Sequence, residues 1–178
     1  MIVVCITGLF GSGKDTVADY LVEKHGFHKI DMGEVLREML KEKGIKPTRE
    51  NLQEFRKQHG NTFLAEEITK RIEKGGWKRV VINGVRRSED YEIPKKKFGE
   101  KLKMILIKAD KIKRFIRLKR RGSERDPKSI KEFEKQERRE YKIYDFNKTF
   151  SYADFVVENN STIEDLKSKI DKIMGELL

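Results

Sequence analysis

Residues 8–16 contain the side chains whose types and spacing most directly suggest chemistry. Gly8 and Gly13 occupy the first and last glycine positions of the pattern G-x-x-x-x-G-K, which Lys14 completes. Glycines allow backbone N–H groups to converge on an anion, and a lysine placed directly after them can reach the β and γ phosphates of a nucleotide. The predicted nucleotide-binding residues of this stretch are Gly8, Phe10, Gly11, Ser12, Gly13, Lys14, Asp15 and Thr16.

The residue after Lys14 departs from the full phosphate-binding pattern. Asp15 stands where a serine or threonine is usual, and the hydroxyl comes one position later, at Thr16. Asp15 has two interpretations that the sequence leaves equal. It could be a carboxylate close to a bound metal ion, or an acidic residue that suits the first turn of a helix.

Two further groups of polar residues follow predicted strands. Asp31, Gly33 and Arg37 come after a short strand, and Asp31 is expected either to bond a hydroxyl of a second substrate or to cap the next helix. Arg37 lies off the apolar stripe of that helix, so its side chain can face a ligand. The segment 83–87, Asn83-Gly84-Val85-Arg86-Arg87, follows another strand directly.

Five short apolar segments are predicted as buried strands, and predicted helices alternate with them. The strands are residues 2–6, 27–31, 79–82, 103–108 and 153–157. This alternation predicts an α/β fold of three layers, α/β/α, with a five-stranded parallel sheet in a single domain. Ligands of such sheets bind beyond the carboxyl ends of the strands, so the polar groups above are expected to line one crevice.

Several helix faces and caps are predicted residue by residue. Asp110 and Ser129 are expected to begin helices, and Ser161 with Glu164 is expected to form a capping box for the last one. The residues of the helix after Asp110 that are expected to face inward are Ile112, Phe115, Ile116 and Leu118.

Together the polar groups resemble those of adenylate-kinase-like P-loop kinases. The segments that carry the resemblance are Gly8-x-x-Gly11-x-Gly13-Lys14-x-Thr16, Asp31-Met32-Gly33-Glu34-Val35-Leu36-Arg37, Asn83-Gly84-Val85-Arg86-Arg87 and the arginine-dense segment 114–139. In order they are similar to the phosphate loop, the acceptor-binding helix, the strand-three turn and the lid. The resemblance spans nearly the whole chain and is nearest to the small archaeal-type group related to adenylate kinase or dephospho-CoA kinase.

The resemblance implies a P-loop NTPase fold over residues 1–178, with a helical acceptor-binding insert at about residues 32–74 and a helical lid at about 114–140. ATP would lie on the phosphate loop with Arg117 added, and Mg²⁺ would be held by Asp15 and Thr16, partly through water. The implied acceptor-binding residues are Asp31, Gly33, Arg37, Gly84 and Arg86. The implied catalytic residues are Lys14, Arg37, Arg86, Arg87, Arg121 and Arg125, with Arg138 behind them.

Asn83 is the main departure from that family. Many relatives have an aspartate at this turn, where the carboxylate helps to hold water around Mg²⁺, whereas an amide brings no charge. The sequence therefore predicts weakened catalysis, unless Asp15 or Asp31 supplies the missing carboxylate.

The composition bounds the remaining possibilities. The 41 Lys and Arg against 30 Asp and Glu give a net charge of +11, and residues 111–142 alone contribute +8 of it. A charge excess concentrated in this way favours a local use over general nucleic-acid binding. No apolar run is long enough for a membrane span, so a cytoplasmic protein is expected. The single Cys5 predicts a buried hydrophobe, and the three histidines have no metal-ligand spacing.

The leading hypothesis is an enzyme that moves the γ-phosphate of ATP to a small nucleotide acceptor, most simply a nucleoside monophosphate. One alternative is dephospho-CoA kinase-like activity, in which a ribose hydroxyl attacks. A second is an ATP-binding regulator or RNA-associated ATPase, and a third is a protein that binds nucleotide without chemistry. The acceptor and the oligomeric state are left open.

Overall fold

The computed structural model describes residues 1–124 and 126–178, with the backbone alone for residues 49 and 50. Strands and helices alternate along the chain, and a single turn of 3-10 helix, Gly99–Lys101, precedes the fourth strand. The strands are β1 (Ile2–Thr7), β2 (His28–Asp31), β3 (Arg79–Val85), β4 (Leu102–Lys108) and β5 (Phe155–Glu158). The helices are α1 (Lys14–His25), α2 (Met32–Glu42), α3 (Arg49–His59), α4 (Phe63–Gly75), α5 (Ser88–Phe98), α6 (Lys111–Arg121), α7 (Ile130–Ile143), α8 (Phe146–Ser151) and α9 (Ile163–Leu177).

The strands form one parallel sheet in the order β2-β3-β1-β4-β5. β1 is central, and successive side chains of a strand point to opposite faces. Val3 and Cys5 therefore join a core cluster with α2–α5, whereas Val4 and Ile6 join a second cluster with α1 and α9. The predicted α/β/α arrangement around a five-stranded parallel sheet is confirmed, and Cys5 is fully buried as expected.

The register of the sheet brings the predicted polar groups to one edge. Asp31 at the end of β2 is paired with Asn83 of β3, and Asn83 is in turn paired with Ile6 near the end of β1. The loop that follows β1 therefore begins next to both residues. This edge is the carboxyl end of the sheet, where parallel α/β folds place their ligands.

Two helices, α5 and α8, were not predicted from the sequence. The segment of α5 contains Pro94, which removes one helical hydrogen bond and usually ends a helix. In the fold, Tyr91, Pro94 and Phe98 all point to the core, and this burial holds the helix together despite the proline. Tertiary packing therefore overrides a weak local propensity here.

The predicted inward face of α6 is correct at Leu118, which is 2% exposed, and wrong at Ile112 and Ile116, which are 57% and 48% exposed. Arg114, which was not predicted to face inward, is buried at 4% exposure. The side of α6 that carries Arg114 faces the core, because the Phe133 ring and the Glu137 carboxylate contact its guanidinium and offset the cost of burying the charge.

Predicted caps have mixed outcomes. Ser129 caps α7 through its Oγ, which accepts from the Glu132 N–H at 3.2 Å, as expected. Asp110 is the N-cap residue of α6, as expected, but its side chain makes no capping hydrogen bond, and its Oδ1 accepts from Asn160 Nδ2 at 3.0 Å.

The capping box at Ser161 is also wrong. Thr162 caps α9, with its Oγ1 accepting from the Asp165 N–H at 3.1 Å. Among the described residues, no helix is both long enough and apolar enough to span a membrane.

Candidate functional site

The loop between β1 and α1 has no room for a Cβ at Gly8, Gly11 or Gly13. A Cβ on Gly8 (φ +146°) would overlap the carbonyl oxygen of Ile107 in β4, and one on Gly13 (φ +102°) would overlap the Asn159 amide after β5. Both φ values lie where side chains are strained. The loop backbone is thereby packed tightly against the ends of its neighbouring strands.

The loop presents hydrogen-bonding groups that suit an anion. Gly13 caps α1, and the first amides of a helix have no intrahelical acceptor, so they carry partial positive charge. Ser12 is fully buried, and its Oγ has no hydrogen-bond partner among the described residues. A buried hydroxyl without a partner is uncommon, and a phosphate oxygen would satisfy it.

Lys14 folds back over this loop. Its Nζ donates to the Leu9 carbonyl oxygen at 3.0 Å. Burial, followed by the positive charge of Arg86, lowers the pKa of Lys14 to about 8, while the carboxylates of Asp15 and Glu140 oppose this shift. The ammonium group is therefore a partly desolvated cation, and a phosphate group would stabilise its charged form.

Two carboxylates and one amide meet at the carboxyl ends of β2 and β3. Asn83 donates from its Nδ2 to Asp15 Oδ1 and to Asp31 Oδ2, at 2.8 Å in each case. Asp31 also caps α2, because its Oδ1 accepts from the Glu34 N–H at 3.0 Å. The helix-capping role foreseen for Asp31 is thus confirmed, while Thr16 lies exposed on the first turn of α1.

Arg37 lies over the start of α2. A Cβ on Gly33 would stand 3.2 Å both from Arg37 Nη1 and from Asp31 Oδ1, so Gly33 leaves room for the two charged groups. Gly84, at φ +87°, follows Asn83 inside β3, where the pairing with β1 shifts register. The fold therefore gathers the predicted acceptor-binding residues of these two elements.

Arg86 and Arg87 are positioned by a buried carboxylate. Their backbone N–H groups donate to Asp90 Oδ2 at 3.1 and 2.9 Å. Both guanidinium groups stack over the Tyr144 ring, at 5.5 and 5.2 Å from its centre. Arg86 Nη1 also donates to Glu140 of α7 at 2.6 Å, so this arginine already has an anionic partner.

The predicted lid arginines lie in different surroundings. Arg117 donates to the Asn159 carbonyl oxygen at 2.8 Å, and burial lowers its pKa. Arg121 pairs with Asp126 through two nitrogens, one of them Nε at 2.8 Å. Arg138 is exposed on α7, and Arg125 lies outside the described residues. Their roles at a transferring phosphate, and the division into insert and lid, stay predictions.

The sequence interpretation missed Arg114 as a site residue. It donates to the Phe10 carbonyl oxygen at 3.4 Å and to Glu137 Oε1 at 2.5 Å. Its guanidinium also lies over the rings of Phe10 and Phe133, at 5.8 and 5.1 Å. Arg114 thus joins the phosphate loop to α7, and no sequence signal distinguishes it from the exposed arginines nearby.

Asn159 was missed as well. It is buried, and its Nδ2 donates to the Ser12 carbonyl oxygen at 2.8 Å, which fixes the loop from the side of β5. Its place directly after a predicted strand is the signal that could have found it, since strand ends supply the ligand-facing residues of this architecture.

The oxygen atoms at Asp15, Asp31 and Thr16 suit Mg²⁺, which prefers few protein carboxylates and keeps water or phosphate oxygens as its other ligands. Within the described part of the chain, no three His, Cys, Asp or Glu side chains could hold a metal ion by themselves. The donor set therefore fits an ion that arrives with a nucleotide.

Comparison with known proteins agrees with this geometry. Residues 7–134 match the family model described as an AAA domain. A UPF0200 protein from Methanocaldococcus jannaschii is 30% identical over 100% of this chain and 91% of its own length. One from Pyrococcus horikoshii is 31% identical over 99% of this chain and 97% of its own length.

Solved structures share the fold. Shikimate kinase from Acinetobacter baumannii, in complex with shikimate, has a TM-score of 0.67 at 19% identity, covering 99% of this chain and 94% of that one. TT1252 from Thermus thermophilus has a TM-score of 0.66 at 18% identity, with 99% and 98% covered. Both likenesses show that this chain shares the α/β fold of these proteins. The chain belongs to the UPF0200 family, and most of its length matches the family model described as an AAA domain.

Proposed function

We propose that the protein transfers the γ-phosphate of ATP to the phosphate of a small nucleotide, most simply a nucleoside monophosphate. The observation that carries this proposal is the gathering of cations around the phosphate loop from separate elements. Lys14 lies within electrostatic reach of Arg86 after β3 and Arg114 on α6. Glu140 and Glu137 pair with the two arginines, whereas Lys14 has no salt-bridge partner among the described residues, so an anion bound between these like charges would stabilise their convergence.

Phosphoryl transfer requires cations at fixed positions around the phosphate. In phosphoryl transfer, negative charge spreads over the moving group, so catalysis depends on positioning and on preorganised positive charge. The loop amides and Lys14 would bind the β and γ phosphates, and Arg114 of α6 would add a further positive charge. Asp15 and Thr16 would hold Mg²⁺, which neutralises charge on the β and γ phosphate oxygens.

The acceptor side favours a phosphate over a hydroxyl. A hydroxyl acceptor needs a base, and Asp31 is the carboxylate in position. Both Asp31 oxygens already accept hydrogen bonds, one from the Glu34 N–H and one from Asn83. Arg37 and Arg86 offer guanidinium groups instead, and these bind phosphate with two parallel hydrogen bonds. Arg86 would exchange its partner Glu140 for the incoming phosphate.

An ADP-release assay with ATP and Mg²⁺ tests the proposal across a panel of nucleoside monophosphates, with dephospho-CoA included. One monophosphate should raise the rate well above that with ATP alone, and Lys14→Met should abolish the increase. The matched control is Lys172→Met, which replaces an exposed lysine of α9 and should leave the increase in rate unchanged. A rate raised by dephospho-CoA alone, or by no acceptor, would contradict the proposal.

A further inference from the structure

Asn83 holds two carboxylates that come from different elements. The side chain is 1% exposed, and its Nδ2 donates to Asp15 of α1 and to Asp31 at the end of β2. An amide NH₂ group has two hydrogens, and here each one serves a carboxylate. With both distances at 2.8 Å, the two accepting oxygens lie at most about 6 Å apart, within strong electrostatic range.

In this geometry the Asn83 amide donates two hydrogen bonds, which an ionised carboxylate could not do. Negative charges on Asp15 and Asp31 repel each other, and the shared donor offsets that repulsion by hydrogen bonding to both carboxylates. An aspartate at position 83 would remove both hydrogen bonds and add a third negative charge. Asn83 is therefore a donor required by its neighbours, rather than a weakened acid.

A second observation points to a ligand at this place. The other atom of the same amide, Asn83 Oδ1, is buried and has no hydrogen-bond partner among the described residues. A buried acceptor without a donor is unfavourable, so such atoms in native proteins usually meet a bound water or ligand. This carbonyl oxygen and the two neighbouring carboxylates are the kinds of oxygen ligand, direct or through water, that a divalent cation takes.

We infer that Asn83 is a positioning residue that fixes Asp15 and Asp31 as a pair, and that this pair holds a hydrated divalent cation at the phosphate end of the site. The inference rests on the proposed function, because the cation would accompany ATP. It reverses the expectation drawn from the sequence, in which an aspartate at position 83 would strengthen the site.

Mn²⁺ titration followed by electron paramagnetic resonance of the unbound ion tests the inference, first without nucleotide and then with a non-hydrolysable ATP analogue. Asn83→Leu, which keeps the shape and removes the donor, should weaken Mn²⁺ binding about tenfold or more, as loss of a positioning partner does. Asn83→Asp should also weaken it. Asp19→Asn is the matched control on α1 and should change nothing, since Asp19 pairs with Lys29 instead.

Tighter Mn²⁺ binding by Asn83→Asp would overturn the inference, as would wild-type protein that binds no Mn²⁺ in either titration. Should the Asn83 variants not fold, Asp15→Asn and Asp31→Asn decide: both should weaken Mn²⁺ binding, and an unchanged Asp31→Asn would overturn the pairing. Calorimetry with the ATP analogue separates the two proposals. Absent nucleotide binding contradicts the proposed function, whereas intact nucleotide binding with equal Mn²⁺ affinity in all variants contradicts only the role of Asn83.

Discussion

Replacing Lys14 by methionine should stabilise the ligand-free protein while it removes ATP binding. The folded protein lowers the pKa of this lysine from 10.5 to about 8, because burial penalises the ammonium ion. At about 1.36 kcal/mol per pKa unit, keeping the charge at neutral pH costs the folded state up to about 3 kcal/mol. The variant loses the hydrogen bond to Leu9, about 1 kcal/mol, so the expected net gain is about 1–2 kcal/mol.

The gain has a definite pH dependence. Between pH 8 and 10.5 the unfolded lysine holds a proton that the folded one has released, so the stability of the wild type rises with pH in this window. The advantage of Lys14→Met should therefore be full below pH 8 and fade toward pH 10.5. Urea unfolding of both proteins at several pH values measures the difference, in which contributions common to both cancel.

Lys172→Met provides the matched control, because that lysine is exposed on α9. It should show no gain that depends on pH in the same window. Destabilisation by Lys14→Met at pH 7, or a difference that stays constant from pH 7 to 10.5, would refute the reasoning. Saturating ATP should stabilise the wild type and not Lys14→Met, because the buried charge of Lys14 destabilises the ligand-free protein but is needed to bind ATP.

Three further predictions follow from single contacts. Gly8→Ala should lower the free energy of unfolding by several kcal/mol more than Gly26→Ala, since the new Cβ overlaps a β4 carbonyl oxygen at Gly8 but meets no described atom within 4 Å at Gly26; urea unfolding that ranks them equally would contradict this. Arg114→Met should cost about 3–5 kcal/mol because it leaves the Glu137 carboxylate without its cation, and adding Glu137→Gln should recover part of the loss; strictly additive losses in a double-mutant cycle would argue against the pair. Arg121, the last residue of α6, lowers the pKa of Asp126 to about 2, so this carboxylate contributes stability above about pH 4 that is lost as the pH falls toward 2. Asp126→Asn should therefore be about 1–2 kcal/mol less stable than wild type at pH 7, and the two proteins should be equally stable near pH 2. An equal difference at both pH values would contradict the assignment.

Local chemistry made several features of the site predictable. The glycine spacing of the phosphate loop requires backbone conformations that other residues resist, so the pattern identifies its own geometry. Asp31 directly before an apolar helical stripe predicted a cap, and the structure places its Oδ1 on the Glu34 N–H. Such features need only a few neighbouring residues to be defined.

Other features depended on partners that lie far away in the chain. Arg114 resembles its exposed neighbours in sequence, and its burial is stabilised by Glu137 and the Phe133 ring of α7 together with Phe10 of the phosphate loop. Pro94 disfavours a helix locally, and α5 forms because its apolar residues are buried in the core. In each case the deciding interaction is between residues whose pairing no local pattern specifies.

The sequence by itself determined a parallel α/β sheet, the phosphate loop and the edge at which ligands bind, because strand burial, glycine conformations and strand polarity follow from residue types in order. The tertiary structure alone decided which charges meet at that edge. Asn83 reads as a missing acid in the sequence, and it becomes a hydrogen-bond donor once β2, β3 and α1 bring Asp31 and Asp15 to its two amide hydrogens. The sign of an electrostatic contribution depends on distances between groups, and those distances exist only after the chain has folded.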